Sequence, residues 1–507
     1  MRHPLHVLHA LPFFFAALAL TAQQPKLGTI DFPTSGSTAA QPAFIRGVLY
    51  MHSFEYLSAA DAFREAQRLD PSFVLAYWGE AMSYNHPVWF QQDSAAARAV
   101  LARLGATPAE RRLKAKSPRE QGYMDAVELL YGAGGKEHRD SAYAKAMEKL
   151  SAAYPDDIEA ATFHALAILG TSHGGRHIPA YLRAGAIVDP IFRDHPDHPG
   201  AAHYIIHSYD DPAHAELGLA AARAYSKIAP AAPHAQHMTS HIFLALGMWD
   251  DVVAANEVAW AASGKRNGHY SHWLAYGYLQ QGRYADAERL VAAAEREAEQ
   301  SSGRRPFAAM IRSTWLADTR QCSGAVTARS DSAGLAAMAV DYAAVLCASE
   351  RGDRATATTA LRHAEGHAGN DDVRMGSDGI ALLEMRALVL RAGAKREEAA
   401  ALLRQAAEME AKLPYEFGPP DPAGPPRELL GELLLEMKRP VEAAREFELA
   451  LRRTPRRARS LLGLARARAA SGDRPGAEKA YAELRSIWHA AEPGVAAVAE
   501  ASRGRGP

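Results

Sequence analysis

Residues 199–249, PGAAHYIIHSYDDPAHAELGLAAARAYSKIAPAAPHAQHMTSHIFLALGMW, decide how the rest of the chain is read. Two stretches within it each carry a histidine pair four residues apart, His203/His207 and His237/His241. Four residues is slightly more than one helical turn, so both rings of a pair project from one face of a helix. The pairs are also in register, with 34 residues from His203 to His237 and 34 from His207 to His241. That period is the length of a stacked helix–turn–helix unit, so equivalent faces of adjacent hairpins are expected to present four imidazoles together.

Outward from this stretch the same unit recurs. Gly47, Tyr50, Ala59, Phe63, Ala66 and Pro71 near one end are matched in spacing by Gly431, Leu434, Ala443, Phe447, Ala450 and Pro455 near the other. Ala275, Tyr278, Ala287, Val291 and Ala294 fit the same template, as do Ala465, Ala477, Tyr481 and Leu484, and weaker matches centre on Ala81, Ala165, Ser240, Val345 and Ala387. Over most of residues 42–490 the pattern resembles the tetratricopeptide repeat (TPR) superfamily, in an exported bacterial-type form. In that family small residues let the two helices of a hairpin approach closely, and the proline breaks the chain before the next hairpin. The resemblance implies an all-α, right-handed superhelical solenoid of helical hairpins, in one or two arrays. It also implies that the first helix of each hairpin lines a concave groove able to take a protein or peptide, and that Phe63 and Phe447 are buried between paired helices.

Composition agrees with a helical array, since Ala, Leu, Arg and Glu dominate and β-branched runs are scarce. With 57 basic and 58 acidic residues the net charge is −1, so no global field draws the chain to nucleic acid. The start, MRHPLHVLHALPFFFAALALTAQQP, has a basic end, an apolar stretch over Leu11–Leu20 and a small-residue exit. It reads as a signal peptide over residues 1–22, too short to span a membrane and followed by no cysteine that could carry a lipid. The mature chain is therefore expected to be exported, periplasmic or secreted, with no membrane span. Cys322 and Cys347 are the only cysteines, and an oxidising compartment would let them bridge.

The segments divide as a polar leader over 23–41, a histidine-rich array over 42–299, an irregular connection over 300–338, a C-terminal array over 339–492 and a disordered tail over 493–507. Residues 85–118 and 170–200 are longer than a hairpin link needs. Proline density keeps LPYEFGPPDPAGPP, residues 413–426, out of helix, as a simple connector, a rigid spacer or a lid over the groove.

The first-helix small residues Gly47, Ala81, Ile206, Ser240 and Ala275 mark a common phase. Against it His203, His237 and His272 stand three residues before, His207 and His241 one after, and His52 and His86 five after. These offsets advance in steps of four, so seven histidines share one stripe. His164 stands one before its marker Ala165 and falls on another face. Neutral imidazole is the commonest metal ligand, so the stripe is a candidate site for a transition metal, copper or zinc before iron. Asp210 and Asp211 could orient the rings or ligate. Glu384, Glu428, Glu432 and Glu436 share the same phases further on; if the superhelix curls enough, Glu428 and Glu432 could back the histidines, and otherwise they form a solvated acidic face. Arg452, Arg453, Arg456, Arg457 and Arg459 read as a charged solvent face.

No H-E-x-x-H, P-loop, dinucleotide fingerprint or nucleophile–base triad is present, so no nucleotide cofactor is expected. Three functions fit: an exported scaffold with metal in its groove, a purely protein- or peptide-binding scaffold whose histidines pack the groove, and a metalloenzyme using the histidine cluster.

Overall fold

The computed structural model describes residues 25–322, 335–367 and 376–503; the expected signal peptide lies outside them. The architecture is an all-α superhelical solenoid of TPR-like hairpins. Successive helices pair from Gln41–His52 with Tyr56–Leu69 through to Ala458–Ala470 with Arg474–Ile487. Among the described residues the one strand pairing is Asn85–His86 with Gln91–Gln92. None of the described helices is long and apolar enough to cross a membrane.

Local chemistry sets the hairpin. Pro199, Pro233, Pro426 and Pro440 each open a helix, where a missing N–H costs nothing. Inter-helix turns take a left-handed residue at equivalent places: Gly247, Gly282, Gly352 and Gly472, but also Phe54, Ala394 and Lys438. Phe63 is fully buried, with its ring against Gly47 of one first helix and Gly79 of the next; Phe447 sits in the same way against Gly431 and Gly463. A Cβ at any of these four glycines would overlap the ring, so the small residues are what let successive hairpins close on the phenylalanine.

Several segments differ from their sequence reading. From residue 25 the polar leader is packed against the array: Leu27 and Phe32 are buried, Thr29 N–H donates to the Asp197 carbonyl, and Phe32 packs on Phe44, Trp78 and Tyr123. Its few apolar side chains anchor it despite a polar composition. The connection 300–338 contains helix Arg305–Thr319, because Ala308, Ile311 and Trp315 form a buried stripe at helical spacing. The tail contains helix Ala496–Arg503, held by buried Ala501 and by Glu500, which accepts from Arg466 and Tyr481. The two long links hold helices as well, Ser94–Leu104 and Pro108–Lys114 in one and Ile178–Asp194 in the other.

The superhelix curls until distant hairpins touch. Helix Gln41–His52 packs on Pro199–Tyr209, and the Trp249 indole donates to the Arg456 carbonyl. One core runs through residues from both the N-terminal and C-terminal hairpins. Cys322 and Cys347 are joined by a disulfide, with Cα atoms 5.2 Å apart, tying the end of helix Arg305–Thr319 to helix Leu335–Glu350.

The curl corrects two charge readings. Arg457 is no solvent-face residue but wholly buried, donating to both oxygens of Glu428 (2.9 and 3.0 Å), to the Tyr276 hydroxyl (3.1 Å) and to Asp318. Glu428 and Glu432 do not back the histidines: Glu428 is consumed by Arg457 and Ser460, and Glu432 pairs with Arg459 (2.6 Å) and Arg320 (2.9 Å). Glu384 is buried beside Tyr342, and Glu436 pairs with Arg391.

Candidate metal centre

Helices Pro199–Tyr209 and Pro233–Ala245 are buried along their whole length. Their own second helices cover one side. The other is covered by the chain itself, so here the groove is filled rather than open. Phe54 lays its ring 4.2 Å from His203 and 5.7 Å from His207. The proline-rich loop 413–426 crosses from the far hairpins, placing Phe417 at 4.9 Å from His241 and Gly418 on the Trp273 indole. The loop is a cover, not a simple connector.

Two groups of three imidazoles lie here, His237/His241/His269, with His269 at the exposed rim, and His203/His207/His234, all buried. Within each group one nitrogen from every ring lies within 4.8 Å of the others. In the first, His237 Nε2 is 3.1 Å from His241 Nε2 and 2.8 Å from His269 Nε2. Partners on the far nitrogens assign the tautomers. His241 Nδ1–H donates to Asp210 Oδ2 (2.6 Å). His237 Nδ1–H donates to Asn256 Oδ1 (2.7 Å), and that amide is itself oriented by its donation to the Val252 carbonyl (2.9 Å). With their protons on Nδ1, both rings aim Nε2 lone pairs at each other. Burial pushes His237 well below its ordinary pKa, reinforced by the neighbouring His269 and His241.

In the second group His203 Nδ1–H donates to the His52 carbonyl (2.6 Å), leaving Nε2 free. His203 Nε2, His207 Nε2 and His234 Nε2 are all buried without a hydrogen-bond partner. Burial holds His203 at about 3, and burial with repulsion from neighbouring imidazoles holds His207 and His234 well below the usual value. All three are neutral bases at neutral pH.

A third cluster, His52, Glu159 and His198, offers similar residue types but no free lone pair on its rings. His52 Nε2–H and His198 Nε2–H donate to the two oxygens of Glu159 (2.7 and 3.1 Å). Tyr204 donates to His52 Nδ1, and Ala201 N–H to His198 Nδ1. Burial alone would raise Glu159, but the two rings draw it down to about 2. This closed network positions His52, and through its carbonyl His203. Gly200 makes room for it, since a Cβ there would strike the His52 ring.

Of the seven histidines on the predicted stripe, four enter the triads: His203, His207, His237 and His241. His52 supports from behind. His86 stacks on Tyr56 at 4.0 Å, and His272 meets Thr314 Oγ1 at 3.1 Å, so neither joins a triad. Asp210 orients His241, whereas Asp211 pairs with Arg176 (3.0 Å) and caps the turn at His214. Sequence reasoning missed His234, His269 and Asn256. His234 and His269 do share a phase, six residues before markers Ser240 and Ala275, which is one short turn ahead of the recognised stripe.

No protein-family model matches the chain, and no curated protein matches it. Among solved structures it is similar to human IFIT1, solved as a dimer with m7Gppp-AAAA (12% identity, 91% of each chain covered, TM-score 0.38). It is similar also to Cut9 in the APC/C hetero-tetramer Cut9–Hcn1 (11%, 94% and 78%, 0.33) and to yeast Tom70 (12%, 92% and 95%, 0.30). Scores of this size bear on neither ligand nor activity.

Proposed function

We propose that the chain is an exported solenoid scaffold that binds a transition-metal ion through His237, His241 and His269. The observation that carries the reading is the Nε2–Nε2 contact of 3.1 Å between two rings whose Nδ1 protons are already donated elsewhere. Without a metal, one ring would have to become a cation buried among other imidazoles. A divalent ion satisfies all three lone pairs at once. Ligand bonds of about 2.0–2.1 Å in tetrahedral geometry set nitrogens about 3.3 Å apart, against 3.1 and 2.8 Å here. Asp210 and Asn256 are the outer partners that orient metal-bound histidines. An all-imidazole set suits copper or zinc, with iron a poorer fit. The Cys322–Cys347 disulfide supports export to an oxidising compartment.

A metalloenzyme is the second reading, favoured by one feature: three protein ligands leave a coordination position open, and His269 lies at the exposed rim. The test is elemental analysis of untagged protein from the exported fraction. Stoichiometric copper or zinc, lowered in His237→Ala and unchanged in His489→Ala, is the expected result. Metal-free protein that neither copper nor zinc stabilises would leave a scaffold whose histidines only pack.

A further inference from the structure

We infer that His203, His207 and His234 form a second metal site beside the first, so that six imidazoles hold a pair of copper-class ions. This rests on the metal reading of the first triad but on separate observations. Each of the three rings buries an Nε2 that no protein group satisfies. An unpaired buried polar atom is costly, and three rings that each carry one, with a nitrogen of every ring within 4.8 Å of the others, need a common partner. With His207 and His234 protonated on Nδ1, as His203 is, a water could donate to only two of the three lone pairs, whereas a metal ion accepts from all three.

One ring of this triad is oriented from outside, as two are in the first. The His52 carbonyl fixes the His203 tautomer, and Glu159 and Tyr204 in turn hold His52. Phe54 closes the apolar wall, stacked 5.5 Å from His234. The two triads are neighbours because their helices belong to adjacent hairpins. The His207 ring lies 5.9 Å from His241, and the His234 ring 6.2 Å from His237. His234 is on the same helix as His237 and His241, so that single helix serves both sites. Ligand sets this close place two ions where one small ligand, such as hydroxide, can span them.

The test uses the untagged full chain, stripped with a chelator and titrated with copper(II) chloride. Bound copper is measured after gel filtration, and the loaded protein is examined by electron paramagnetic resonance. Two coppers per chain are expected, with an integrated signal well below the copper content because the two spins couple. His234→Ala and His237→Ala should each retain one copper and a signal that accounts for all of it. A wild type that binds one copper, unchanged by His234→Ala, overturns the second site and leaves the first standing. Two coppers with a full, uncoupled signal overturn the pairing. No bound copper removes both readings. The wild-type count and signal decide the matter even if a variant fails to fold.

Discussion

Two of the polar clusters buried where the curl brings distant hairpins together are opposites. Around Arg457 every group meets its complement: one guanidinium serves Glu428, Asp318 and the Tyr276 hydroxyl, and Ser460 adds a further bond to Glu428. Around His203 and His237 bases meet bases, with their donors turned outward to Asp210, Asn256 and the His52 carbonyl. The first cluster is complete and acts as a latch between central and C-terminal hairpins. The second is buried except at His269, and the Nε2 atoms of His203, His207 and His234 meet no protein partner. Satisfied networks hold a fold together, whereas one left open in the same direction by several groups points to a ligand.

Breaking the latch should have the largest effect. Arg457→Ala strands Glu428 and Asp318 as buried carboxylates and should cost about 3–5 kcal/mol. Denaturant unfolding would show this loss equally with and without copper. Phe447→Ala should cost a similar amount, about 3–5 kcal/mol, through the cavity left between Gly431 and Gly463.

The histidine cluster should behave differently. Copper at about a hundred times its dissociation constant should stabilise the wild type by about 2.7 kcal/mol. His237→Ala should lose stability without metal, because it strands buried Asn256, and should also lose part of the copper increment, as thermal melts with and without copper would show.

Acid sharpens the contrast. Burial holds His272 at about 4 and His203 at about 3, below the roughly 6.5 of an unfolded histidine. A group with a depressed folded pKa binds fewer protons when native. Its stability is therefore fully present above pH 6.5 and drains as pH falls toward the folded value, by up to about 1.4 kcal/mol per pH unit for each such ring. Metal-free protein should thus melt earlier at pH 5 than at pH 7, and His272→Phe should flatten part of that slope.

A smaller net loss is expected at Phe54, a buried ring in the left-handed turn position that Gly247 and Gly282 occupy elsewhere, with φ 55°. Phe54→Gly removes that ring at a cost of about 3–5 kcal/mol and recovers about 1 kcal/mol of backbone strain. Stability should fall by less than in Phe447→Ala, and copper should dissociate faster because His203 is uncovered.

The hairpins were legible because their determinants are local. Phe63 and Phe447 recur in identical surroundings of small residues, and the structure places both rings between facing glycines. Four of the six triad ligands were legible for the same reason, as pairs on a helix face. His234 and His269 were not, because a stripe drawn in four-residue steps passes over the position three residues ahead. The register there is also interrupted: Gly200 holds the equivalent place in the preceding helix, where the His52 ring needs the space. Nothing local could show that Glu428 meets Arg457 and Asp318 rather than histidine. That pairing depends on how far the superhelix curls, which accumulates small rotations over many hairpins.

The central claim is most directly tested by anomalous diffraction at the copper edge from crystals of untagged protein grown with copper. The account predicts an anomalous peak about 2.0–2.1 Å from Nε2 of His237, His241 and His269, with Asp210 still bonded to His241. Copper found only on exposed histidines such as His489, with the triad nitrogens unligated, would contradict it.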